Sequence, residues 1–180
     1  MAFQKVAISD CLNRIRRPVE IEDEKEYTLV TVRLWHGGVV ERCVKSGNEI
    51  RAKRMYEVKS GDFILSGIDA RNGAFGIVPP ELDGAVVTND FWYFDVNTDV
   101  ILKELFLALT RTKWFDHICR VGSDGTTQRI RLQKDKFFNQ KIDLPRIEEQ
   151  PGLLSKFESY EMTNACIRDK INKQKALLSK

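Results

Sequence analysis

From Leu153 to Lys180 the chain contains neither proline nor glycine, and Leu153, Phe157, Tyr160, Asn164, Ile167, Ile171, Gln174 and Leu178 recur at alternating intervals of four and three. That spacing lays these positions along one face of a helix and predicts a coiled-coil stripe. A helix of this extent runs about 42 Å at roughly 1.5 Å per residue, further than one small domain can cover. Its apolar face needs a partner, and a second copy of the same helix is the expected one. Asn164 and Gln174 cost stability within the stripe, but a buried amide that pairs in only one alignment sets register. The competing arrangement is an amphipathic helix folded back on its own domain.

The preceding residues read as one globular domain, 1–147, with the helix as a second unit, 148–180. A chain of 180 residues, 42% of them hydrophobic, can bury one sizeable core. Ser9 is placed to cap a short helix through Ile15, and Arg16-Arg17-Pro18 with the acidic stretch Glu20 to Glu26 reads as a solvated connection. Leu29 to Leu34 and Val39 to Val44 form an expected hairpin around His36-Gly37-Gly38. Phe63 to Ser66, Phe75 to Val78, Ala85 to Thr88 and Phe91 to Val96 add short strands. Between the first two of these, Asn72-Gly73 is the pair preferred in type I′ turns, where both central residues take positive φ. The period then changes: Ile101, Leu102, Leu105, Phe106 and Leu109 predict a helix capped from Asn97, Thr98 or Asp99. A second helix through Trp114, Phe115, Ile118 and Val121 should stop at a positive-φ Gly122. The expected class is α+β: a compact, curled, mostly antiparallel sheet with packed helices, followed by one long C-terminal coiled-coil helix.

A net charge of +3 is too small to announce a polyanion partner, so the placement of charge matters more. Between Arg42 and Lys59 the cations Arg42, Lys45, Arg51, Lys53, Arg54 and Lys59 meet only Glu49 and Glu57, and a second basic stretch runs from Arg111 to Lys136. An acidic segment lies between them. Folding the two basic stretches onto one side would give a nucleic-acid face. Cys11, Cys43, Cys119 and Cys166 are far apart, with no Cys-x-x-Cys pair, and read as free thiols rather than metal ligands. No membrane span is expected, and the protein reads as cytoplasmic.

Catalytic motifs are missing in the same sense. There is no Gly-x-x-x-x-Gly-Lys-Ser/Thr loop and no Gly-x-Ser-x-Gly elbow. Val78-Pro79-Pro80-Glu81 lacks the polar residue and the aromatic that an amino-methyltransferase site needs. Glu57-x-Lys59 spells half a nuclease motif without an upstream Asp on a neighbouring strand. Asp62, Asp69 and Asp90 read as turn and strand-end residues, and they would revive an enzyme only by converging on one divalent ion.

Gly61-Asp62-Phe63, Ile68-Asp69-Ala70-Arg71-Asn72-Gly73-Ala74-Phe75-Gly76-Ile77 and Leu82-Asp83-Gly84-Ala85-Val86-Val87-Thr88-Asn89-Asp90-Phe91 together resemble the target recognition domain of type I restriction-modification specificity subunits. Gly125-Thr126-Thr127-Gln128 is similar to that family's loop before its last strand. Pro145-Arg146-Ile147-Glu148-Glu149-Gln150 is similar to its Pro-x-x-Glu-Gln junction with the conserved helix. Family subunits carry two recognition domains joined by long antiparallel helices, so this chain looks like a half-length subunit.

The resemblance implies a non-catalytic reader of double-stranded DNA with a bipartite target. Its expected partners are methyltransferase (modification) subunits, which bring S-adenosylmethionine, and a motor-nuclease restriction subunit, which brings ATP and Mg. It also implies homodimerisation through the C-terminal helix, and no cofactor, metal or membrane bound by this chain directly. On that reading Lys45, Arg51, Lys53, Arg54 and Arg111 neutralise phosphates, while Arg71, Asn72, Thr126, Thr127, Gln128 and Arg129 approach base edges or nearby backbone. The alternatives are a homodimeric decoy or silent-cassette protein that holds the methyltransferase without reading DNA, and, more distantly, a stand-alone nuclease.

Overall fold

The structure, a computed structural model, describes residues 2–125 and 130–178, without the side chains of Ala176 and Leu178. In chain order its elements are β1 (Phe3–Ala7), α1 (Ile8–Cys11), β2 (Leu12–Ile15), β3 (Pro18–Glu20), β4 (Glu26–Val32), β5 (Val39–Ser46), β6 (Arg54–Glu57), β7 (Phe63–Ser66), β8 (Phe75–Ile77), β9 (Val86–Val87) and β10 (Phe91–Val96). Then come α2 (Lys103–Thr110), α3 (Lys113–Val121), β11 (Ser123–Asp124), β12 (Arg131–Leu132), α4 (Lys134–Phe138), β13 (Lys141–Pro145) and α5 (Gln150–Leu178). Two sheets dominate, one ordered β2-β10-β7-β8 and one ordered β3-β6-β9-β4-β5, with β1-β13 and β11-β12 as separate ribbons. Pairing is antiparallel except where β9 meets β4 in parallel, Leu29 opposite Val86.

Strand alternation makes this a three-layer body. On β7, Phe63 and Leu65 point to the helices and Ile64 points the other way, toward the five-stranded sheet, so the strand is buried on both faces. On β10, Phe94 joins the helix side and Tyr93 the sheet side. The helix-side core is aromatic: Phe63 meets Phe106 edge-on at 5.1 Å and Phe115 at 5.8 Å. The sheet-side core is mainly β-branched, with Val30, Val32, Val39, Val58, Val78 and Val87 against Ile64 and Tyr93. A polar link joins the two sheets at one end. The Arg17 guanidinium grips the Asp62 carboxylate with contacts of 2.6 and 3.1 Å, and the Arg17 N–H donates to the Tyr93 hydroxyl at 2.6 Å. The bond to Asp62 raises the Arg17 pKa, and burial raises that of Tyr93.

Several local expectations are corrected. Ser9 to Ile15 is not one helix: α1 ends at Cys11, and Leu12–Ile15 leaves it to pair with β10, because β10 offers a free edge to an apolar segment. Arg16-Arg17-Pro18 and Glu20 are not a solvated link, since Pro18–Glu20 pairs with β6 and Arg17 is half-buried on Asp62. Asn72-Gly73 is not a type I′ turn. Ala70–Asn72 forms a 3-10 turn and only Gly73, with φ of 74°, is left-handed. The type I′ geometry sits instead in the β4-β5 hairpin, where Trp35 and His36 have φ of 58° and 59° and the Gly37 N–H closes on the Leu34 carbonyl. α2 starts one turn later than expected, because Asn97 donates to the Asp10 carbonyl and accepts from the Asp99 N–H instead of capping the helix. Gly122 ends α3 in a helical conformation, with φ of −70°, and its value lies in close approach to Ile118, Leu132 and Phe137.

The long helix begins at Gln150, with Pro151 and Gly152 inside its first turn, where a missing N–H costs nothing. Gln150 is fully buried; it accepts from the Leu102 N–H at 2.9 Å and donates to the carbonyls of Val100 and Pro145. Leu153 and Phe157 then pack on the helix-side core. Past that point the stripe opens to solvent, with Tyr160 68%, Ile167 49% and Ile171 45% exposed.

Candidate nucleic-acid interface

β5 is the edge strand of the five-stranded sheet, and its register against β4 slips between Leu29 and Val30, which face Cys43 and Glu41. Arg42 is the extra residue of that bulge. A bulge bends a strand and re-aims the side chain at the irregularity. Here Arg42 lines a groove of about 480 Å³ together with Lys45 and Arg51. The floor consists of Leu29, Ile50, Met55 and Val86, and Thr88 and Phe91 contribute to the wall. Three cations over an apolar floor, with Glu49 as the sole lining acid, form a site for a polyanion that also offers flat apolar surface.

A second cleft, with no lining residue in common with the groove, is formed by the β9-β10 connection. Thr88 belongs to the groove, while Asn89 and Asp90 line the second cleft, of about 230 Å³, with Arg14, Arg16, Trp92 and Arg131. Gly67 holds this corner together: its N–H donates to the Asp90 carbonyl and its own carbonyl accepts from the Leu132 N–H, both at 2.7 Å. A Cβ there would stand 2.8 Å from the Asp90 carbonyl oxygen. The Arg14 guanidinium lies 4.5 Å over the Trp92 ring, and Arg131 is ion-paired with Asp90. Burial, and then the neighbouring charge of Arg16, lower the Arg14 pKa. A phosphate between these two arginines would relieve that repulsion.

The residues singled out by sequence are dispersed around this face. Lys45 and Arg51 are in the groove. Lys53 is paired with Asp23, and Arg54 stands 3.9 Å from Glu20, so both serve the β3 side. Arg71 is half-buried and donates to the Ile130 carbonyl at 3.2 Å, and the Asn72 amide donates to Asp69 at 3.3 Å. Arg111 lies at the α2-α5 junction, 3.3 Å from Glu161. Thr126, Thr127, Gln128 and Arg129 fall outside the described residues. Arg14, Arg16, Arg42 and Arg131 were missed. Arg14 lay in the expected Ser9–Ile15 helix and Arg16 in the expected connection, while Arg42 and Arg131 belonged to the two basic stretches without being singled out, because a bulge leaves no mark in an alternating pattern.

The carboxylates take separate partners. Asp62 holds Arg17 and the Lys59 N–H, Asp69 holds Asn72, and Asp90 holds Arg131. Among the described residues there is no group of three or more His, Cys, Asp or Glu arranged to hold a metal ion, and no helix is long and apolar enough to cross a membrane.

No family model matches this sequence, and no curated protein does. Solved structures do. One is the HsdS subunit from Thermoanaerobacter tengcongensis, which superposes over 93% of this chain and 44% of its own length with a TM-score of 0.66 and 20% identity. The chain has the fold of HsdS. A chain from a structure described as the basis of complex assembly and conformational transition of the type I R-M system gives a TM-score of 0.67 at 21% identity, again over 93% of this chain and 44% of that one. This chain therefore spans under half of each HsdS-like neighbour. The expected α+β fold, mostly antiparallel sheet with packed helices and a long C-terminal helix, is what the structure contains.

Proposed function

We propose that this chain is a non-catalytic specificity subunit of a type I restriction-modification complex, reading one half of a bipartite DNA target. The observation that carries the reading is the presence of two cationic sites, Arg42, Lys45 and Arg51 in the groove and Arg14, Arg16 and Arg131 in the second cleft, on an HsdS fold. Residues 1–147 form the reading body and 148–180 the pairing and spacing element. Two copies associate through the exposed stripe of α5 about a two-fold axis and present two bodies to inverted half-sites. Lys45 and Arg51 contribute phosphate contacts from the groove, and Lys53, Arg54 and Arg111 join them only by exchanging Asp23, Glu20 and Glu161 for phosphate. Arg71 and Asn72 are the base-reading candidates among the described residues. Methyltransferase subunits supply S-adenosylmethionine and a restriction subunit supplies ATP and Mg, all in the compartment that holds the genome.

The test is selection of duplexes from a random pool by the purified chain, alone and with the methyltransferase subunit, followed by salt titration. An inverted repeat should emerge, and Arg42→Ala should weaken every sequence alike and reduce the salt slope by about one unit. A complex that captures the methyltransferase yet prefers no duplex would establish the decoy instead.

A further inference from the structure

We propose that Trp35 is a wedge that stacks on a base step of the bound duplex, an inference resting on the DNA-reading function above. Trp35 and His36 are the only non-glycine residues with positive φ among those described. Bulky side chains take this conformation at a cost, and it persists only where the surroundings impose it. The surroundings here are specific. The Trp35 N–H donates to the Asn72 carbonyl at 2.8 Å and the His36 N–H to the Gly73 carbonyl at 3.0 Å. The His36 ring stands edge-on to Phe75 at 5.0 Å, with Nε2 3.1 Å from the Asp116 carboxylate. Gly73 permits the approach, since a Cβ there would lie 3.1 Å from His36.

This bracing presents an indole that is 77% exposed beside a Leu34 that is 43% exposed. A tryptophan serving the fold would bury its ring. From Arg33 to Val40 the tip carries no acid, and Asp116 beneath it is occupied by His36. The tip is also connected to the second cleft through bonded neighbours. Asn72, which holds Trp35, follows Arg71; Arg71 reaches Ile130, and Ile130 precedes Arg131 of the second cleft. A projecting ring on a tip that carries Arg33 and no acid of its own fits a ligand of stacked flat rings and phosphates better than a protein surface.

The experiment uses the full chain and the duplex it selects best, with 2-aminopurine substituted at successive adenines. Trp35→Ala should weaken binding roughly ten-fold and leave the salt slope unchanged, because stacking releases no counterions. Trp35→Phe should recover most of the affinity. In the wild type one 2-aminopurine position should brighten on binding, and Trp35→Ala should abolish that signal. Thermal unfolding should not move, the ring being exposed. Wild-type affinity and an unchanged 2-aminopurine pattern in Trp35→Ala would overturn the wedge alone, most clearly if that variant instead lost the methyltransferase subunit. A wild-type chain that prefers no duplex would overturn both the wedge and the function on which it rests.

Discussion

The start of α5 and the turns beyond Tyr160 share one alternating apolar pattern and lie in opposite environments. Leu153 and Phe157 are packed on the aromatic core and α2 runs alongside, whereas Ile167 and Ile171 face solvent. The spacing of apolar residues states that a helix has a sticky face. It does not state what the face sticks to. That is decided by Gln150, whose three hydrogen bonds seat the first turn against residues 100–102 and the end of β13. The helix is thus anchored at its base and leaves the body with its remaining stripe uncovered.

Breaking the anchored part should have the largest effect. Gln150→Ala would strand one N–H and two carbonyls in a buried place and should cost about 3 kcal/mol in denaturant unfolding. Phe157→Ala, removing a half-buried ring, should cost about 2 kcal/mol in the same assay. A smaller effect comes from pH. Burial, and then Asp10, push the Cys11 thiol up to about 11 from 9.0, and burial raises Cys119 in the same direction. The folded state then holds its thiol protons where the unfolded chain has released them. Stability is full below the unfolded pKa and should fall by about 1.4 kcal/mol per pH unit per thiol as pH rises from about 9 toward 11. Cys11→Ala should flatten that slope, while the exposed Cys166 labels with a thiol reagent at neutral pH without unfolding. The smallest effect on unfolding should come from the outer turns. Ile167→Lys with Ile171→Lys should shift it by less than about 0.5 kcal/mol at a protein concentration too low for pairing, and should convert a dimer to a monomer in sedimentation velocity at higher concentration. An intact dimer in that variant would remove the outer turns from self-association.

The same contrast explains what could be read without coordinates. Strands rich in aromatic and β-branched residues, such as Phe91–Val96, and the uninterrupted helix were legible, because composition specifies the first and period the second. Elements that depend on a distant partner were not. Leu12–Ile15 is a strand only because β10 is there to receive it, and Pro18–Glu20 only because of β6. The left-handed turn fell on Trp35-His36 rather than Asn72-Gly73 because Asn72 and Gly73 supply the carbonyls that hold the other turn in place. The cationic face was half legible. Arg42, Lys45 and Arg51 belong to a visible basic cluster, but the bulge that aims Arg42 is not visible, and Arg14 and Arg131 are brought together by strands far apart in sequence.

The bulge at Arg42 has one more consequence. It lies on the edge strand, so deleting the single codon for Arg42 would restore a regular pleat with Glu41 still opposite Val30 and Cys43 still opposite Leu29, and would take one cation out of the groove. The chemistry offered to a ligand can therefore be rewritten by chain length as well as by replacement, while the interior that fixes the architecture is left as it was.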